Sequence, residues 1–241
     1  MSEAWEAFQK EISRHKELRL WWRDDDAAQP SQSLDRLLGL SREYQIPLAL
    51  AVVPLAATPE LFSGLGSQVS VLQHGTDHRN RAGPGQKKTE FPDGEPVDAL
   101  IGRLSAAAAR LKHLSAGRAL PVLVPPWNRL RSDLTRELAA AGFRGLSTYG
   151  PRTSEAVGGL KQVNTHIDIV DWHAGRRFIG DARALDLVLD SLENKEPIGL
   201  LTHHAVHDEA AWNFLERLFG LRTVRWARAE ELFSYNAPSH G

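Results

Sequence analysis

The order of apolar and polar segments predicts an α/β protein: one domain over 1–241, folded as an irregular parallel (β/α) barrel of seven or eight strands. Two observations predict it. Short apolar runs of strand length alternate with longer stretches of helical periodicity along almost the whole chain. Polar clusters rich in Asp and His follow the C-terminal ends of those runs, where a β/α barrel gathers its active-site loops.

The elements follow in order. Leu18 to Arg23 reads as the first strand, and 33–45 as a helix with Leu34, Leu37, Leu38 and Tyr44 on one stripe. Pro47 to Val53 is a short strand, and Thr58-Pro59 opens a short helix, proline being tolerated in a first turn. Val69 to Leu72 is the next strand; 96–114 is a helix with Leu100, Leu104, Ala108 and Leu111 in register. Pro121 to Val124 is a strand, followed by a helix capped by Ser132 and ended by Gly142. Gly145 to Thr148 and Val163 to Val170 read as extended, 182–193 as helical, Ile198 to Leu201 as a strand and 208–219 as a helix. Thr223 to Trp226 is a last strand before a short closing helix, and 236–241 reads as a frayed tail. Residues 79–96 and 150–161 read as loops; the first is long, rich in Gly, Pro and charge, and follows a polar cluster directly, as functional loops do. Lys87, Lys88 and Glu90 within it could contact substrate, although charges in such a loop are usually solvated.

Composition narrows the classes of function. An apolar fraction of 42% and a charged fraction of 24% are ordinary for a globular chain. A net charge of −1 with scattered Lys and Arg leaves no basic stripe for nucleic acid or an anionic membrane. No apolar run reaches the length of a membrane span. There is no Cys, hence no disulfide framework and no thiolate chemistry. Met1 to Glu6 carries acids and no basic stretch ahead of an apolar core, so no secretory signal is expected and the expected compartment is the cytoplasm. The oligomeric state is open.

Five polar clusters carry the chemistry. Asp24, Asp25 and Asp26 stand in a row after the first strand, and adjacent carboxylates resist burial unless a cation is at hand. His74 and His78, four residues apart after the third strand, can close on one ion. An Asp with this His pair leaves coordination positions open, which is the outline of a catalytic metal site. Pro125 to Asn128, then Asp168 with Asp171 and Trp172, then His203 and His204 with His207 and Asp208, occupy the corresponding ends of later strands.

These clusters resemble, in order, the five short motifs of the polysaccharide deacetylases, carbohydrate esterases with a NodB-type domain. Trp22 to Asp26 is similar to the Thr-Phe-Asp-Asp-Gly motif, and His74 to His78 to His-Ser/Thr-x-x-His. Val124 to Trp127 resembles an Arg-x-Pro-Tyr/Trp motif, Asp168 to Trp172 matches Asp-x-x-Asp-Trp, and Leu200 to His204 resembles the leucine-rich histidine motif. The resemblance spans roughly 18–205 and implies a distorted (β/α) barrel. It implies metal-dependent deacetylation of an N-acetylated sugar or related glycan. A small-molecule amide is the alternative substrate, and a non-catalytic glycan-binding barrel the alternative to an enzyme.

By this resemblance Asp25, His74 and His78 would hold a divalent metal, zinc first, with Co, Ni, Mn or Fe also compatible. Asp24 would be the general base and His203 the general acid; Pro126 and Trp127 would line the oxyanion and substrate side; Asp168, Asp171, Trp172 and His204 would orient the acid. Because three Asp are adjacent, the two carboxylate roles can also fall one place later, on Asp25 and Asp26. Three positions depart from the motifs. Asp26 stands where glycine closes the first, Gly75 replaces the hydroxyl residue after the first His, and Val124 replaces the arginine that steadies the base, a place open to Arg23 or Arg129.

Overall fold

The computed structural model describes residues 3–15, 18–193 and 196–234; the tail at 236–241 lies outside the described residues. It begins with a helix ahead of the first expected strand, α1 (Glu3–Ile12), whose Trp5, Phe8 and Ile12 recur at helical spacing and are buried. Trp5 donates its indole N–H to Asp181 at 2.5 Å, tying this helix to a later one.

From there strands and helices alternate: β1 (Arg19–Ala27), α2 (Gln32–Tyr44), β2 (Leu48–Val52), α3 (Pro59–Ser63), β3 (Val69–His74), α4 (Val97–Leu114), β4 (Ala119–Val124), α5 (Leu134–Ala140) and β5 (Gly145–Leu146). Then come β6 (Ala156–Val157), β7 (Leu160–Gln162), β8 (Ile167–Asp168), β9 (Val170–Asp171) and β10 (Arg177–Phe178). The chain closes with α6 (Asp181–Asp190), β11 (Ile198–Thr202), α7 (Glu209–Phe219), β12 (Arg225–Trp226) and α8 (Ala229–Leu232). Side chains cap two of the helices: the Ser31 hydroxyl accepts from Leu34 N–H at the start of α2, and the Asp208 carboxylate from Ala211 N–H at the start of α7, whereas α5, expected to be capped by Ser132, has Asp133 at its N-cap with no side-chain hydrogen bond.

Ten of these strands form one sheet in the order β6-β7-β5-β4-β3-β2-β1-β11-β8, with β12 beside the start of β1, while β9 and β10 pair with each other as a separate antiparallel ribbon. Within the larger sheet all neighbours are parallel except β6 with β7. One extended segment, 160–168, lines the gap between the edges: its β7 pairs with β5, Thr165 bridges to Tyr149, and its β8 pairs with β11. The sheet is therefore curled into a distorted barrel, as expected. The 150–161 region is less irregular than its composition suggests, because it contains the β6–β7 hairpin.

Side-chain alternation sorts the strands into two faces. Leu20, Trp22, Leu48, Leu50, Val69, Val71, Ile198 and Leu200 pack outward against the helices. Trp21, Ala49, Ala51, Leu72, Val122 and Val124 fill the interior. Small residues on β2 make room for the Trp21 indole, and Gly199 faces it across the β1–β11 ladder, where a Cβ would lie 2.6 Å from Trp21 Nε1. Trp21 donates to the Asn164 carbonyl at 3.1 Å, so its one polar atom is satisfied in the interior. This packed floor leaves the C-terminal ends of the strands as the open face.

Candidate active site

The triple Asp sequence is resolved by a bulge. β1 pairs with β2 as Asp24 with Leu50, then resumes as Ala27 with Val52, so β1 carries one extra residue between them. Asp26 takes φ 73°, a left-handed conformation that Asp tolerates better than most residues. The three carboxylates therefore point to three different places.

Asp24 shares the outward face with Trp22 and is fully buried. It accepts from the Thr202 hydroxyl at 2.6 Å, from His204 N–H at 3.0 Å, and from the His204 imidazole Nδ1. Burial alone would raise the Asp24 carboxyl, but the His204 charge and hydrogen bond outweigh it and hold it below its ordinary value. Asp25 lies on the interior side in a two-pronged pair with Arg23: Nε to Oδ1 at 2.8 Å and Nη2 to Oδ2 at 2.9 Å. Arg23 is itself buried and donates further to Ser147 Oγ at 2.7 Å and Asn128 Oδ1 at 2.8 Å.

Asp26 is the carboxylate that meets the histidine pair. Its Oδ1 lies 3.0 Å from His74 Nε2 and 3.1 Å from His78 Nε2. These three are the group of potential metal ligands that the structure draws together among the described residues. The structure thus places Asp26 where Asp25 was expected, and places Asp24 outside the cluster; the physical reason is the bulge, which shifts the register by one. His74 Nδ1 lies 3.0 Å from the Val124 carbonyl, which can only accept, so Nδ1 carries the proton. In the neutral ring Nε2 is then a bare lone pair aimed at a carboxylate oxygen. Such a contact requires a proton or a cation between the two atoms, which is the donor chemistry of a metal site with its tautomer fixed from behind. Burial opposes charge on His74, yet the Asp25 charge and the Asp26 hydrogen bond outweigh it and raise its pKa. Burial likewise opposes charge on Asp26, and the two histidines reverse this, holding it well below the carboxylate range.

The other clusters arrive as the topology requires. Trp127 and Asn128 both have φ 56°, and the Trp127 ring sits 4.5 Å from that of His78. A left-handed Trp is uncommon; here the Asn128 side chain is tied to Arg23 and Pro126 is buried, so the strained turn is fixed from both sides. Of the two adjacent histidines, His204 turns away to Asp24, while His203 meets the Trp172 ring edge-on at 4.7 Å. Trp172 donates its indole N–H to Asp168 at 2.8 Å. Burial raises the Asp168 carboxyl above its ordinary value, only partly offset by the His203 charge. Asp171 does not reach this group: its carboxylate accepts from His173 and Ala174 N–H and shapes the turn after β9.

His207, behind this pair, is pushed down to about 4 by burial, only partly countered by Asp24. It is neutral when folded and ionisable when unfolded, so unfolding takes up a proton below the ordinary histidine value of about 6.5. Stability is expected to fall by up to about 1.4 kcal/mol per pH unit as pH drops from about 6.5 towards 4, a slope that His207→Gln should remove in urea titrations at several pH values. A His207→Gln protein with an unchanged pH slope would refute this.

The departures from the motifs have structural counterparts. Gly75 has φ 56°, and a Cβ there would overlap the Glu90 carboxylate and lie 2.6 Å from the Pro126 ring. Glu90, expected to be solvated, is fully buried. Arg23 occupies the position open to it or Arg129, whereas Arg129 is exposed and donates to the Lys88 carbonyl.

No family model matches the sequence, and no curated protein matches it. Solved structures do match by shape. A putative polysaccharide deacetylase from Mycobacterium smegmatis aligns with a TM-score of 0.66 at 15% identity over 90% of this chain and 89% of that one. The peptidoglycan deacetylase PdaC from Bacillus subtilis aligns with a TM-score of 0.59 at 12% identity, over 90% of each chain. A family 4 acetyl xylan esterase from Clostridium thermocellum, in complex with a cobalt ion, aligns with a TM-score of 0.58 at 12% identity over 89% of this chain and 90% of that one. At these identities the likeness is one of fold: the chain has the polysaccharide deacetylase fold along nearly its whole length.

Proposed function

We propose that this protein is a divalent-metal-dependent hydrolase that removes the acetyl group from an N-acetylated sugar or related glycan. The observation that carries the reading is the Asp26 carboxylate held against two imidazole Nε2 atoms, one of fixed tautomer, at the open end of a barrel with this fold. Two imidazoles and a carboxylate suit zinc first, and cobalt, nickel, manganese or iron as well. That a cobalt-bound esterase shares the fold supports it.

Asp26, His74 and His78 would hold the ion, which when bound polarises the substrate carbonyl and lowers the pKa of water. Asp25 is the carboxylate left to take a proton from the attacking water, and the Arg23 fork fixes its orientation. His203 delivers a proton to the leaving nitrogen, with the Trp172 edge and Asp168 setting its ring. The Trp127 backbone N–H meets the charge that develops on the carbonyl oxygen.

Substrate class is read from the rim. The large hydrophobic residues exposed among the described residues are Leu55, Tyr149 and Trp172. Leu55 N–H bonds to the Thr76 carbonyl, Tyr149 follows β5 and Trp172 touches His203, so all three border the same face. Exposed aromatic side chains bordering the site favour a glycan over a small amide.

The test is metal analysis followed by acetate release from chito-oligosaccharides, peptidoglycan, acetyl xylan and small N-acetyl amides. The expected result is about one divalent ion per chain and acetate release from a glycan, abolished by chelation and restored by zinc or cobalt. Failure to bind any divalent ion at saturation would overturn the metal reading. Turnover confined to small amides would overturn the glycan reading.

A further inference from the structure

Glu90 lies in the 79–96 connection, which has no helix or strand, yet it is fully buried. Its carboxylate accepts from Thr76 N–H at 2.9 Å, from Asp77 N–H at 3.2 Å and from the Thr76 hydroxyl. Every one of these donors lies between His74 and His78. The Arg81 guanidinium forks onto Asp77, Nη1 and Nη2 each donating at 2.8 Å, and its Nη1 also lies 3.7 Å from the Glu90 carboxylate, so a cation of the same loop faces Glu90. The space the carboxylate fills is the space a side chain at position 75 would need. Gly75 and Glu90 are therefore one device: the glycine admits the carboxylate, and the carboxylate ties the turn.

The turn needs tying. Gly75 and His78 both have φ 56°, and along this path His78 Nε2 returns to the same Asp26 oxygen that His74 reaches. Without an acceptor, Thr76 N–H would be buried and unpaired, and the turn would relax towards commoner backbone angles. We propose that Glu90 is a positioning residue for the His74–His78 pair, and that the 79–96 loop belongs to the metal site through it. This inference rests on the metal reading above.

The experiment compares metal-free wild type with Glu90→Gln, Glu90→Asp and, as a control, Glu196→Gln. Glu196 is a buried carboxylate paired with Arg152 at 2.9 Å and His166 at 3.2 Å, away from the histidine pair. Each protein is checked by far-ultraviolet circular dichroism and urea unfolding. Zinc affinity is measured by competition with a chelating dye, and cobalt binding by visible absorption. Glu90→Gln is expected to weaken both metals roughly 10- to 100-fold and to alter the cobalt spectrum, the usual scale for groups that orient metal ligands. Glu90→Asp, which keeps the charge but falls short in reach, should lie between it and wild type and decides the matter if Glu90→Gln does not fold. Glu196→Gln should lose stability while keeping zinc affinity. Folded Glu90 variants that bind both metals within twofold of wild type would overturn the inference and leave the metal reading intact. A wild type that binds neither metal would overturn both.

Discussion

Replacing Asp25 by Asn is expected to lower turnover of the folded fraction by roughly 100- to 10,000-fold while leaving its metal content unchanged, and to lower the unfolding midpoint because buried Arg23 loses its charged partner. Asn keeps the volume and one acceptor oxygen, but it cannot take a proton from water. Asp26→Asn should act in the opposite order, losing metal first and activity with it, because Asp26 supplies the oxygen facing both imidazoles. Asp24→Asn should do neither. Its carboxylate is buried against Thr202 and His204, so this variant should unfold at lower urea while its folded fraction keeps metal and most turnover. Metal content, turnover and unfolding midpoint measured on the three variants separate the roles. Loss of metal in Asp25→Asn with metal kept in Asp26→Asn would overturn the assignment. So would near-normal turnover in Asp25→Asn.

Arg23→Met is expected to cost about 3–5 kcal/mol of unfolding free energy, the scale for leaving one member of a buried ion pair without its partner. Arg23 and Asp25 are both inaccessible to water, so no solvent takes over the lost contacts. The Ser147 hydroxyl and the Asn128 side chain lose a donor in the same step, and Asn128 belongs to the strained turn behind Trp127. A loss of this size is a large part of the 5–15 kcal/mol that domains typically possess. The double variant Arg23→Met with Asp25→Asn should recover part of the loss, because the stranded charge is gone. Arg23→Lys should fall between, since an ammonium cannot fork onto both oxygens. A destabilisation below about 1 kcal/mol for Arg23→Met, or no recovery in the double variant, would show that the pair is not the anchor described.

Several features were legible from residue order alone. The alternation of apolar runs is enough to predict the parallel sheet, because a strand buried on both faces must be apolar along its length. The clusters at the C-terminal strand ends follow from the same pattern, and the spacing of His74 and His78 marks them as a pair. The spacing of Trp5, Phe8 and Ile12 also carries the helical period of α1.

What residue order cannot supply is direction. Three adjacent Asp residues look alike until a bulge between Asp24 and Ala27 sends one to His204, one to Arg23 and one to the histidine pair. Whether a strand bulges depends on the register it keeps with β2, a contact made across the sheet rather than along the chain. The arginine missing at Val124 is supplied by Arg23, two residues before the carboxylate it holds, since alternate side chains of one strand share a face. Glu90 looked like one more charge in a polar loop, and only the Gly75 turn folding beneath it gives that carboxylate its donors. Residue order suffices for the barrel, for the face that carries the polar clusters and for the kinds of groups gathered there. Which carboxylate meets which partner was decided only in the tertiary structure, because burial and hydrogen bonding are settled between strands that are far apart in the chain.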